Sequence, residues 1–429
     1  MKKFLLAIFI GLSLFSCSKS EDRGKFIYVE DGRFIKNGEP YYFTGANLWY
    51  GAILASQGTG GDTLRLFKEL DRLKEIGIEN LRILVGSDGL WGVTSKVEPT
   101  LQTSPGIYND TILRGLDRLM VELSKREMSA VLYLNNSWEW SGGYSQYLMW
   151  AGYGKAPLPG VDGWNPFVDY VKQFVNCDSC KNMFDSYVKF IVSRKNTITG
   201  VDYKDDPVIF SWQIGNEPRA FAKENKEVFA KWMGHVAALI KAIDSNHMVS
   251  SGSEGEVGCE RDLALYEQIH SIPEIDYLNI HIWPLNWSWV TKDKLTEGIS
   301  IACDSTAIYI EKHLDVAKRL NKPIVIEEFG YPREDYLFTP GSSVLSRDKY
   351  YQFILDYVAR SAQSGGLLAG CNFWAWGGYA VPDPVNPNWK RGDDYCGDPA
   401  QEPQGLYSLF AADSSSIKLL LNQKNKLLK

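Results

Sequence analysis

At 429 residues the chain can hold one large barrel or two ordinary domains, and length alone does not choose between them. A formal charge of -6 provides no basic field for a polyanion, which argues against nucleic acid as a partner and suits a neutral substrate. Aromatic residues make up 13%, with 14 Trp among them, and several sit in polar Gly- or Asn-containing segments where flat apolar rings could meet sugar rings.

The chain opens Met-Lys-Lys and then runs apolar from Phe4 to Phe15, too short to span a bilayer but right for a secretory signal. Leu14-Phe15-Ser16-Cys17 ends that run and resembles a bacterial lipobox. The resemblance implies a lipoprotein signal peptide over 1–16, diacylation at Cys17 and a polar tether over 17–25, which leaves 26–429 for the folded domain. It also implies a membrane contact through that lipid, at the bacterial cell envelope, as an outer-membrane lipoprotein or at the extracellular surface. An ordinary secretory signal with an incidental Cys is the alternative. Both readings export the protein, so its other cysteines meet an oxidising compartment. Cys177 and Cys180 have CxxC spacing and read as a local disulfide or two free thiols, while Cys371 and Cys396 bracket a loop that a disulfide could close.

From Tyr42 onward, β-rich runs alternate with amphipathic stretches, which predicts a parallel sheet covered by helices. Tyr42 to Asn47 reads as the first strand; Asp62 caps a helix with Leu66, Phe67, Leu70 and Leu73 on one face, stopped near Gly77. Asn80 to Val85 is the second strand, a helix over Leu113 to Lys125 follows, and Ala130 to Asn135 is the third, with a long aromatic insertion before the helix near Met183 to Arg194. Val208 to Ile214, His247 to Ser251, Tyr277 to Ile282, Ile324 to Ile326 and Ala369 to Trp374 complete eight, with helices over Tyr309 to Leu320 and Tyr350 to Ala362 among the later connections. Eight such units, with no repeat beyond them, predict a single α/β domain, a (β/α)₈ TIM barrel with enlarged βα loops. An open doubly wound sheet would want a phosphate loop where Asn47-Leu48-Trp49-Tyr50-Gly51 stands.

In such barrels the reacting groups cluster at the C-terminal ends of strands. Two carboxylates stand there: Asn216-Glu217-Pro218 ends the fourth strand and Glu327-Glu328-Phe329-Gly330 the seventh. A glycosidic bond needs such a pair, one carboxyl to protonate the leaving oxygen and one to attack the anomeric carbon. These motifs resemble the acid/base and nucleophile motifs of family 5 of the glycoside hydrolases, and further matches spread the resemblance over roughly residues 40 to 415. It implies retention of configuration, Glu217 as acid/base and Glu328 as nucleophile, with no cofactor. Asn216 is similar to the residue that hydrogen-bonds the sugar 2-hydroxyl, and Arg82 to the arginine that keeps the nucleophile ionised. His281 is similar to the residue that holds the carboxylates, and Trp374 to the indole flooring the attacked sugar's subsite, with Trp376 as the competing register.

Alternation along the seventh strand turns Glu327 and Glu328 to opposite sides, and the family register selects Glu328. Glu217 must hold a proton near neutral pH, through burial or the charge of Glu328. Many relatives carry Tyr where Trp283 stands, which weakens any carry-over of that phenol's hydrogen bond to the nucleophile.

The loop Asn135-Asn136-Ser137-Trp138-Glu139-Trp140 after the third strand resembles that of the endo-β-1,4-mannanase branch of the family. So do Tyr147-Leu148-Met149-Trp150, Asn47-Leu48-Trp49, Trp283 through Asn286-Trp287, and Pro403-Gln404-Gly405 followed by Ser408 and Asp413. The branch implies a monomer acting on β-mannan, galactomannan or glucomannan, with Trp49, Trp138 and Trp283 stacking on successive rings. A β-1,4-glucanase or an exo-acting β-mannosidase would keep the Glu pair and change the loops. A non-catalytic surface glycan-binding lipoprotein would keep the tryptophans and lose the pair. Metal-dependent hydrolysis finds little support, because no two of the five His stand at ligand spacing on one element.

Overall fold

Eight parallel strands form one sheet in the computed structural model, which describes residues 24–90 and 96–427. In chain order they are Phe43–Asn47, Asn80–Leu84, Ser129–Tyr133, Ile209–Gln213, Met248–Ser250, Leu278–Ile282, Ile324–Phe329 and Leu368–Phe373, numbered barrel strands 1 to 8. Their spatial order is 5-4-3-2-1-8-7-6, and a single parallel bridge from Ser250 to Tyr277 brings strand 5 back to strand 6, so the sheet closes into a (β/α)₈ barrel. The expected signal peptide and Cys17 lie outside the described residues.

Local chemistry sets the helices. Asp62 accepts a hydrogen bond from the Arg65 amide (2.9 Å) to start Thr63–Glu75, whose Leu66, Leu70 and Leu73 are buried, and Gly77 turns the chain at φ +88. The helix between strands 6 and 7, Ile299–Leu320, starts ten residues before the predicted Tyr309, and Asn321 ends it in the left-handed region. Ile301 and Ile308 in its first half are exposed, so they break the one-sided apolar spacing on which the expectation rested.

Before strand 1, Tyr28–Glu30, Arg33–Lys36 and Glu39–Pro40 make a small antiparallel sheet that an alternation beginning at Tyr42 does not include. Its turns, Asp31-Gly32 and Asn37-Gly38, have positive φ at both central positions, the geometry that tight hairpins demand. This sheet plugs one end of the barrel. Phe34 is buried edge-on against Phe210 (5.0 Å) and Tyr277 (5.3 Å), within a cluster that includes Phe43, Met248, Val325 and Ala369, all near the starts of strands. The opposite end, at the strands' C-termini, carries the long loops.

Two of these loops are large. Between strand 3 and the helix Asp178–Val192, the insertion contains the short helices Gly143–Trp150, Pro159–Asp162 and Trp164–Val171. Cys177 and Cys180 form a disulfide at its end, one of the two alternatives left by their spacing. After strand 8, Trp376–Gly378 pairs with Leu409–Phe410, and the chain between them is a loop ahead of the final helix Ser414–Leu427. The possible Cys371–Cys396 bridge across that loop is absent: both thiols are free and buried. Cys371 is fixed within the strand 8 ladder, whereas the Cys396 sulfur lies 3.3 Å from the Gln404 side-chain oxygen. Asp398 ties the loop instead, accepting from the amides of Gly405 (2.8 Å), Tyr407 (2.8 Å) and Ser408 (3.2 Å).

Candidate active site

At the C-terminal ends of the strands lies a cavity of about 800 Å³, whose walls include Asn216, Glu217, Trp283, Glu328 and Trp374. Glu217 follows strand 4 at φ +50, a conformation unusual for a residue with a side chain. Its amide donates to the Gly252 carbonyl (2.9 Å) and its carbonyl accepts from the Ser137 hydroxyl, so neighbouring loops hold the strained backbone on both sides. One carboxylate oxygen of Glu217 meets His281 Nδ1 at 2.8 Å; the other accepts from the Trp138 indole N–H.

Glu328 reaches the cavity by a departure from regular pairing. Ile280 pairs with Ile326 but His281 pairs with Glu328, so the ladder of strands 6 and 7 skips Glu327, a bulge. The expected opposition of Glu327 and Glu328 does not hold. Both carboxylates lie near Arg82, Glu328 Oε1 at 2.5 Å and Glu327 Oε2 at 4.0 Å, because the extra residue resets the alternation. Their surroundings separate them. Glu327 is enclosed in the barrel, accepting from Gln213 (2.6 Å), Tyr277 (2.9 Å) and Asn279, whereas Glu328 faces the cavity and approaches His281 Nδ1 at 3.3 Å.

Arg82 is fully buried at the centre of this network, donating also to Gln213 (2.8 Å), Asn47 (3.1 Å) and Asn216 (2.8 Å). Asn216 in turn donates to Asn136 (3.2 Å). Trp283 donates its indole N–H to Glu328 Oε2 at 3.2 Å, so the indole makes the kind of hydrogen bond whose carry-over from a phenol the Tyr-to-Trp difference had weakened. Trp374 stands edge-on to Trp283 at 6.0 Å and lines the cavity, while the competing Trp376 is fully buried away from it.

Trp49 departs from its expected place. It is 1% exposed, donates its N–H to the Gly397 carbonyl (2.8 Å) and packs on Trp140 and Tyr395, so the loop after strand 8 covers the ring and no sugar can stack on it. Trp138 and Trp283 do reach the cavity.

Electrostatics divide the protons unevenly. Burial alone would raise the Glu217 carboxyl, but the hydrogen bond and charge of His281, then Arg219 and Trp138, outweigh it and hold Glu217 below the usual carboxylate range. Burial alone would lower His281; the charge of Glu328 and the bonds to both carboxylates instead push it up to about 9. Both directions favour the imidazole over Glu217 as the holder of the site's proton, whereas burial and Glu328 were expected to keep it on Glu217. Glu217, His281 and Glu328 bring donor atoms within 4.8 Å of one another, the one grouping among the described residues able to share a metal ion. The Arg82 guanidinium on Glu328 works against a second cation there.

Several side chains at the site follow from no motif in the sequence. Arg219, two residues after Glu217, forks onto Glu254 (2.6 Å twice) and lies over the Trp138 ring at 5.0 Å. Burial pushes Glu254 up to about 7 against the pull of Arg219. It follows strand 5, so the same strand-end rule that selects Glu217 and Glu328 reaches it. Glu402, from the loop after strand 8, is pushed up to about 8 by burial and then by the charge of Asp398. Neither it nor Trp164 carries a local motif.

A family profile described as GH family 5 beta-mannosidase-like matches residues 24–429. Mannan endo-1,4-beta-mannosidase 1 of Arabidopsis thaliana is 29% identical over 408 residues, covering 92% of this chain and 90% of its own. The solved glycoside hydrolase family 5 mannosidase of Rhizomucor miehei superposes with a TM-score of 0.85 at 32% identity, over 95% of this chain and 98% of that one. The endo-1,4-beta-mannanase of the same organism shares the fold, with a TM-score of 0.68 at 21% identity over 94% and 99% of the two chains.

Proposed function

Because this chain belongs to the β-mannosidase-like group of glycoside hydrolase family 5, and so is a glycoside hydrolase, we propose that it hydrolyses β-1,4-mannan within the chain with retention of configuration, Glu217 serving as acid/base and Glu328 as nucleophile. The observation that carries this reading is the approach of Glu217 and Glu328 within 4.8 Å at their nearest oxygens. Carboxyls about 5 to 5.5 Å apart leave no room for a water between nucleophile and sugar, so the carboxylate itself attacks.

Glu328, aligned by Arg82 and Trp283, bonds to the anomeric carbon as the glycosidic bond breaks, and Glu217 delivers a proton to the departing oxygen. The His281 proton lies one hydrogen bond away and supplies it. Water then attacks the same carbon and gives a proton to Glu217, which returns it to His281 across the same hydrogen bond as Glu328 is released. Mannan as substrate is supported by the activity for which the Arabidopsis relative is named and by Trp138, Trp283 and Trp374 in the cavity wall.

A second reading, trimming from the chain end, is favoured by one feature: the loop after strand 8 brings Pro399, Gln401 and Glu402 into the cavity wall. Digestion of linear mannan and carboxymethylcellulose, with product anomers followed by NMR and product lengths followed over time, tests both. Early β-anomers and a spread of oligosaccharide lengths are expected. Steady release of one short product would select the chain-end reading, and inverted products or activity on the cellulose derivative alone would overturn the proposal. We also propose attachment to the cell envelope through a diacylated Cys17, supported by the lipobox-like Leu14-Phe15-Ser16-Cys17.

A further inference from the structure

Trp164 begins a short helix in the insertion after strand 3 and lines the cavity while 50% exposed, which among the described residues makes it the most exposed tryptophan. An indole held half in water gains only part of the burial its apolar area could give. Behind it lie Trp138, with ring centroids 5.6 Å apart and planes 35° apart, and Phe167 at 5.9 Å. These contacts fix its position, and the two indoles make a stepped apolar wall. The steps differ in availability: the Arg219 guanidinium occupies a face of Trp138, whereas Trp164 meets no cation among the described residues.

Direction along the cavity comes from Glu217. Its carboxylate accepts from the Trp138 indole, so Trp138 stands on the side of the acid, where the leaving oxygen must lie. Trp164, in contact with Trp138 and more exposed than it, continues that side toward solvent. We propose that Trp164 is a stacking platform for a sugar of the leaving-group chain, beyond the unit next to Trp138, and that it sets how strongly the enzyme favours long substrates. The acceptor chemistry is a β-1,4-linked hexosyl unit presenting its C–H face to the exposed indole. The inference rests on Glu217 acting as the acid.

The test compares kcat/KM of the full-length protein and its Trp164→Ala variant across manno-oligosaccharides and cello-oligosaccharides from dimer to hexamer. In Trp164→Ala the hexamer-to-dimer ratio should fall by about tenfold, mainly through KM, and Trp164→Tyr should restore most of it. The ratio compares two substrates on the same protein, so partial misfolding cancels. An unchanged ratio, or a loss equal at every length in both variants, would overturn the proposal. If the wild type cuts only the cello-oligosaccharides, the mannan reading fails while the ratio in that series still judges Trp164; if it cuts neither, both fall.

Discussion

At 2.8 Å, His281 Nδ1 and the Glu217 carboxyl can hold one proton between them, and the charge of Glu328 favours the imidazole as its holder. Protons then leave the pair as a unit, so the alkaline limb of kcat/KM belongs to His281 and Glu217 together. Burial disfavours the imidazolium, but the Glu328 charge and the bonds to both carboxylates push it up to about 9, and activity should persist toward that pH. With His281→Asn the last proton must come from Glu217 alone, and the limb should move down by about one pH unit or more. A pH profile in which the variant's limb stays in place would mean that Glu217 carries its own proton. Trp283 teaches a related lesson. Sequence showed an indole where a phenol was expected, but the geometry of the N–H, 3.2 Å from Glu328, could be read only once the ring's direction was known.

Single elements explain why the Glu pair was legible and its surroundings were less so. Strand-end placement identified Glu217 and Glu328 because a barrel gathers those ends, whatever the loops do. Alternation misjudged Glu327 because a bulge changes the backbone count and leaves no mark in the order of residue types. Trp49 was misjudged for a different reason: the loop that buries it is contributed from nearly 350 residues later, through Gly397. That loop depends on Asp398. Asp398→Ala would leave the amides of Gly405, Tyr407 and Ser408 without their acceptor, at a cost of about 3 kcal/mol. Urea unfolding should show this loss, and limited proteolysis should cut first between residues 379 and 408; an unaltered midpoint would show that other contacts hold the loop.

For the molecule as a whole, eight βα units in order gave the barrel, because each unit carries its own periodic signal. The N-terminal plug was missed although Asp31-Gly32 and Asn37-Gly38 are strong hairpin signals, since strands of two to four residues show little alternation between them. The proposed anchor is also a property of the whole chain. Cys17→Ser should move the protein from the detergent-extracted membrane fraction to the soluble one, and an unchanged partition between the two would count against lipidation. The plug is where the described chain enters the fold. It lies at the strand starts, and the first described residues, from Gly24 into Tyr28–Glu30, lead directly into it, while Glu217 and Glu328 open at the far end. A lipid tether of the proposed kind would hold the catalyst from its base and leave the groove at the end turned away from the bilayer, open to polymer outside it.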